Sequence, residues 1–153
     1  DSDFKAFLKA RSEASLRICG LGIDVEKIIT EIKTPDKPAL VHLDYCPSNV
    51  LCENDKITAV LDFGGTTITG AATFNPVVAT AFLNPAITPQ ASPQDYAQAT
   101  AWCAEQGPSA QTRAITQWLA TYWSFCGENE DLALYKWCKM TLQNCTLSGP
   151  SAK

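Results

Sequence analysis

Four side chains in one short stretch have the types and spacing that can hold a divalent cation beside a proton acceptor: His42, Asp44, Asn49 and Asp62. They lie in Leu40-Val41-His42-Leu43-Asp44-Tyr45-Cys46-Pro47-Ser48-Asn49-Val50-Leu51 and in Ile57-Thr58-Ala59-Val60-Leu61-Asp62-Phe63-Gly64. The pattern is H-x-D-x-x-x-x-N followed by D-F-G. Phosphoryl transfer asks little covalent chemistry of a protein; it asks for in-line positioning and for positive charge against the phosphate oxygens. Mg²⁺ supplies that charge and takes hard oxygen ligands, one or two from side chains and the rest from phosphates and water. Asn49 offers an amide oxygen and Asp62 a carboxylate, while Asp44 can accept or orient the proton of a substrate hydroxyl. His42 belongs with Asp44 in the catalytic pair, as a hydrogen-bonding support of the loop rather than as a reacting group. Taken singly, the same residues also read as two turn caps and a strand end.

For these side chains to meet, the chain must fold back between them. Asn49 to Cys52 and Ile57 to Leu61 read as a hairpin around the polar turn Glu53-Asn54-Asp55-Lys56. That hairpin carries Asn49 at its entry and Asp62 at its exit. Ala39 to His42 is a short apolar strand leading into the loop. Upstream, Ser2 to about Ile18 has the apolar spacing of a helix, with Gly20 as its stop. Asp24 starts a second helix through Val25, Ile28, Ile29 and Ile32, ended by Pro35 and Pro38. Downstream, Thr66 to Thr73 is small and polar and reads as loop, Asn75 to Leu83 as a buried helix, and Asn84 to Gln94, with three prolines, as a surface connection. Three helices close the chain. Ser92-Pro93-Gln94-Asp95 caps the first, Ser109 precedes the stripe Ile115, Trp118, Leu119, Tyr122 and Phe125, and Asp131 opens the last. The expected architecture is α+β and mostly α: four to six helices with a small β-hairpin carrying the catalytic loop, in one domain over 1–147 with a flexible tail at 148–153.

HLDYCPSNVL followed by ITAVLDFG resembles the catalytic segment of the aminoglycoside phosphotransferase and choline kinase-like superfamily, whose typical form is HGDLHPGNVL and then VIDFG. The resemblance covers residues 22 to 80 and implies a kinase-like C-terminal lobe. It implies Asp44 as the catalytic base, Asn49 and Asp62 as magnesium ligands, and Mg²⁺ and ATP as cofactors. The substrate it implies is a small-molecule acceptor bearing a hydroxyl. The sequence departs from the pattern at Leu43, where a glycine is usual, at Cys46, where a histidine is common, and at Ala71 and Asn75, where acids stand. The segment before Asp24 holds no Gly-rich phosphate loop and no strand lysine, and Gly20-Leu21-Gly22 reads as a helix-stop turn. The chain, which opens on Asp1, is thus expected to supply one half of a nucleotide site and to need a partner lobe or self-association.

Composition narrows the alternatives. With 153 residues, 46% of them apolar and 18% charged, the chain can bury a core and is too apolar for general disorder. A formal net charge of −4 with scattered basic residues argues against nucleic acid as partner. No apolar run reaches membrane-spanning length. Seven cysteines without C-x-x-C spacing, and a single histidine, do not make a zinc site and read as reduced thiols in a cytoplasmic setting. Asn144-Cys145-Thr146 matches a glycosylation sequon, a pattern common by chance. Two further functions stay open beside phosphotransfer: a truncated kinase-derived module that binds a ligand or partner, and acid/base chemistry by His42, Asp44 and Asp62 in a cleft without nucleotide.

Overall fold

The structure, a computed structural model, describes residues 2–146; the tail expected at 148–153 lies outside the described residues, as do the side chains of the Asn144-Cys145-Thr146 sequon. The elements run α1 (Ser2–Cys19), α2 (Val25–Thr30), β1 (Ala39–His42), a single 3₁₀ turn (Pro47–Asn49), β2 (Val50–Glu53), β3 (Lys56–Val60), β4 (Thr67–Gly70), α3 (Phe74–Phe82), α4 (Pro93–Glu105), α5 (Ser109–Trp123) and α6 (Leu132–Thr146). At 53% helix and 12% strand it is the mostly helical α+β fold expected, with six helices among the described residues. No helix among the described residues is long and apolar enough to cross a membrane. The chain forms two compact units, one from residues up to Lys33 together with those from Arg113 onward, the other from Thr34–Thr112.

In the first unit α1 stops where Gly20 takes a left-handed φ of 67° and its N–H returns to the Leu16 carbonyl at 2.8 Å. That conformation costs glycine nothing, which is why glycine ends helices this way. Asp24 then caps α2, its Oδ1 accepting the Lys27 N–H at 3.2 Å. The helix ends at Thr30, two residues short of Ile32. The Ile32 N–H bonds the Ile29 carbonyl in a tighter turn, and its side chain is fully buried there. Around these, Trp118, Leu119 and Tyr122 of α5 and Leu134, Trp137 and Cys138 of α6 are buried on the stripes their spacing marks. Two long-range bonds pin polar atoms inside: Trp118 Nε1–H donates to the Leu8 carbonyl at 3.0 Å, and Ser15 Oγ–H to the Tyr122 carbonyl at 2.8 Å.

The second unit contains two separate two-stranded sheets, β1 with β4 and β2 with β3, both antiparallel. The segment expected as loop at Thr66 to Thr73 instead supplies β4, with His42 opposite Thr67 and Val41 opposite Ile68. Its β-branched run Thr66-Thr67-Ile68-Thr69 is the signal for a strand, outweighed in the sequence by small polar neighbours. The hairpin forms as expected around a two-residue turn. Asn54 and Asp55 both take positive φ (51° and 59°), the type I′ geometry that matches the strand twist. A register shift between Leu51 and Cys52 follows. Helix α3 buries Phe74, Val77, Val78, Ala81 and Phe82, and Ser92 with Asp95 makes a complete capping box on α4.

The turn yields a test. Asp55 holds a left-handed conformation that costs a non-glycine residue roughly 1–2 kcal/mol. Replacing Asp55 by Gly relieves this at about 0.5–1 kcal/mol of lost chain entropy. Thermal unfolding should therefore show Asp55→Gly equal to or more stable than the parent, and Asp55→Val clearly less stable.

Candidate functional site

The side chains singled out in the sequence all lie in the second unit, and the loop between β1 and β2 carries Asp44 and Asn49. His42 ends β1 and is buried, 4% exposed. Its Nε2 lies 2.9 Å from the Leu61 carbonyl oxygen, an acceptor only, and its Nδ1 lies 3.3 Å from the Asp44 backbone N–H, a donor only. These partners leave one consistent assignment: Nε2 carries the proton and Nδ1 accepts, a neutral imidazole with both nitrogens engaged. His42 is therefore a bracket between the end of β1 and the end of the hairpin. The Phe63 ring lies against it with centroids 4.9 Å apart.

Asp44 turns out of the strand and is half-buried. Asn49, at the end of the 3₁₀ turn, donates from Nδ2 to the Asp44 carbonyl oxygen at 2.9 Å and to its carboxylate Oδ2 at 3.2 Å. Both partners accept, so the amide nitrogen faces Asp44 and the amide oxygen is the end that can face a cation. The Leu61 N–H then donates to the Asn49 carbonyl at 2.8 Å. The bonds close a ring: His42 to Leu61, Leu61 to Asn49, Asn49 to Asp44, Asp44 to His42. Asp62 follows the residue held on both sides by that ring. It is exposed and holds a left-handed φ of 60°, uncommon for a residue with a side chain. A Cβ at Gly64 would lie 3.2 Å from Asp62 Oδ1, so glycine leaves the carboxylate its room.

Asn49 could offer a cation an amide oxygen and Asp62 a carboxylate, both hard donors, while no group of three or more His, Cys, Asp and Glu that could hold a metal gathers among the described residues. Few hard protein oxygens, completed by phosphate and water, is how Mg²⁺ is usually bound. The Asp44 carboxyl titrates above its ordinary range, first because burial penalises its charge, with the nearby Asp62 charge adding and the Asn49 amide opposing.

Two departures from the resembled pattern acquire a physical reading here. Leu43 is fully buried, so its bulk goes into the interior instead of crowding Asp44. Asn75 grips the strand that leads into the loop: Oδ1 accepts the His42 backbone N–H at 3.2 Å while Nδ2 donates to the Leu40 carbonyl at 3.0 Å. A carboxylate could make only the first of these bonds. The family resemblance marks position 75 as one that can hydrogen-bond the catalytic loop, and the clamp joins residues 33 and 35 positions apart. Cys46 lies beside Ser48, Sγ to Oγ 3.0 Å.

Two outcomes follow from this geometry. A carboxyl whose folded pKa is raised binds its proton more tightly folded than unfolded, so it stabilises below the unfolded pKa and loses that contribution as pH rises through the folded value. Asp44→Asn should accordingly raise the melting temperature at pH 7, and the gain should vanish near pH 3, where the parent is protonated too. Asn75→Asp should lower stability by about 1–3 kcal/mol, the cost of a lost bond and an unpaired carbonyl. Asn75→Ala should fall in the same direction, read by denaturant unfolding.

Residues 23–72 match the model of the phosphotransferase enzyme family, which is part of the aminoglycoside phosphotransferase and choline kinase-like superfamily. Comparison with curated proteins and with solved structures gives no match. The matched third of the chain contains the whole hydrogen-bonded ring.

Proposed function

Taking the phosphotransferase-family segment at 23–72 as premise, we propose that this chain is the catalytic, C-terminal lobe of an ATP- and Mg²⁺-dependent phosphotransferase acting on a hydroxyl of a small molecule. The observation that supports the reading is the ring through Leu61, the residue before Asp62, whose N–H donates to the Asn49 backbone carbonyl and whose carbonyl accepts from the His42 ring. Asn49 and Asp62 would hold the cation, whose charge offsets the phosphate oxygens. Asp44 accepts the acceptor's hydroxyl proton, and its raised pKa moves it toward the range in which a carboxylate serves as base. His42, with both nitrogens committed to backbone, positions Asp44 and Leu61 and moves no proton itself. That assignment weighs against independent acid/base chemistry by His42.

This reading assigns the clamping of the nucleotide to a separate lobe. Large apolar side chains of the second unit support a covering partner: Leu40, Leu51, Ile57, Leu61 and Phe63 are between 42% and 60% exposed. The same observation favours the second reading, a kinase-derived module whose site engages a partner without phosphotransfer. The setting proposed is cytoplasmic, in keeping with Cys19, Cys46, Cys52, Cys103, Cys126 and Cys138 standing outside any disulfide.

Manganese, an EPR-visible substitute for magnesium, separates the two readings when titrated with and without ATP. Wild type should bind it, Asp62→Asn should bind it at least about tenfold more weakly, and Asp44→Asn should bind it normally. In the enzyme assembled with its nucleotide lobe, Asp44→Ala should lose about 10²–10⁴ in turnover, the usual worth of a positioned base, while keeping Mg-ATP affinity. Turnover that survives Asp44→Ala, or Mn²⁺ binding indifferent to Asp62→Asn, removes the phosphotransfer assignment.

A further inference from the structure

Outside the site, the first unit gathers sulfur. Cys19 is the last residue of α1, Cys138 lies in the middle of α6, and both face one small cavity of about 40 Å³ together with Leu21, Ser124, Tyr135 and Lys139. A space of that size holds a water molecule or two and no organic ligand. The two thiols belong to different helices and line the same gap. Cys19 is half-buried, and its Sγ–H contacts the Leu16 carbonyl at 3.6 Å and Ser124 Oγ at 3.5 Å. Cys138 is buried, 1% exposed. Its thiol is pushed up to about 12 by burial, with the charges that Cys126 and then Cys19 would carry adding to the rise. The Lys139 ammonium lies on the Tyr135 side of the cavity, donating to Tyr135 Oη at 3.0 Å.

We propose that Cys19 and Cys138 are a peroxide-oxidisable pair that closes an intramolecular disulfide across this cavity, joining the end of α1 to α6. Cys19 is the attacking thiol, being the more accessible of the two. Its sulfur takes the terminal oxygen of a hydroperoxide: the S–O bond forms, the O–O bond breaks, and water or an alcohol leaves. That sulfur is oxidised by two electrons to a sulfenic acid and the peroxide is reduced. Cys138 then attacks the sulfenic sulfur, the S–O bond breaks, and the hydroxyl departs as water with the Cys138 proton. A disulfide needs Cα atoms about 4.4–6.8 Å apart, so the cavity must collapse for the bond to form. The chain has the freedom to allow it. Cys19 ends its helix, and Gly20 and Gly22 follow with open space where a Cβ would stand.

The test is a peptide map of the whole chain after treatment with hydrogen peroxide, blocked with an alkylating reagent and read without reduction. The expected result is one cross-linked peptide pair joining Cys19 to Cys138, reversed by dithiothreitol and accompanied by a higher melting temperature. Cys126→Ser should leave the cross-link intact. Cys138→Ala should abolish it and let Cys19 run on to sulfinic acid. Circular dichroism confirms that each variant folds, and Cys19→Ser, at a half-buried helix end, serves as a second variant if Cys138→Ala does not. Three results overturn the proposal: sulfinic acid at Cys19 without a cross-link in the parent chain, a cross-link through Cys126, or a Cys19 that resists peroxide while other thiols react.

Discussion

Leu61 is the point on which the candidate site depends, through its peptide groups more than its side chain. Its N–H is held by the Asn49 carbonyl and its carbonyl by the His42 imidazole. Each of these atoms would otherwise be a polar group shut partly away from water, at a cost of a few kcal/mol when left unpaired. Because His42 is buried, its proton has no cheaper place than Leu61. Because Nδ1 must then accept, the Asp44 N–H is drawn to it. Asn49 completes the circuit by giving its amide protons to Asp44. Each member restricts the next, and the outcome is that four residues from a strand end, a turn and a hairpin share one small volume.

Several local costs are concentrated around this ring. Asp44 keeps a carboxylate where burial disfavours its charge, and Asp62 keeps a left-handed backbone without being glycine. Leu61 and Phe63, which flank Asp62, stand half in water. A sequence chosen only for stability would relax each of these at no loss to the fold. Costs that cluster at one place are the pattern expected where a site is maintained for chemistry or binding. The rest of the second unit shows the opposite economy, with Val41, Leu43, Phe74 and Val78 fully or almost fully buried beneath the strands.

The clamp by Asn75 holds the strand that leads into the loop with one neutral side chain. An amide both donates and accepts, so one side chain replaces two ladder bonds along the edge of β1. An acid in the same place brings charge but no donor. The neutral solution removes a carboxylate from the neighbourhood of Asp44, whose own charge is already disfavoured there.

Much of this was legible from residue types, because the signals are local. Asp24, Ser92 and Asp131 cap the helices they precede, Gly20 ends α1, and Asn54-Asp55 turns the hairpin. Each acts within a few residues of itself, through bonds whose partners the sequence places for it. The spacing of Asp44, Asn49 and Asp62 around that hairpin was equally visible. Tertiary structure decided what depends on partners distant in the chain. It made β4 a strand, because Thr67 and Ile68 found His42 and Val41 opposite them. It turned Leu43 inward, gave both nitrogens of His42 to backbone, stopped α2 short of Ile32, and set Cys19 and Cys138 against the same cavity. A sequence displays propensity and capping, which act over a turn or two of chain. Burial and the sharing of a proton depend on which groups folding brings together, and only the folded chain determines that.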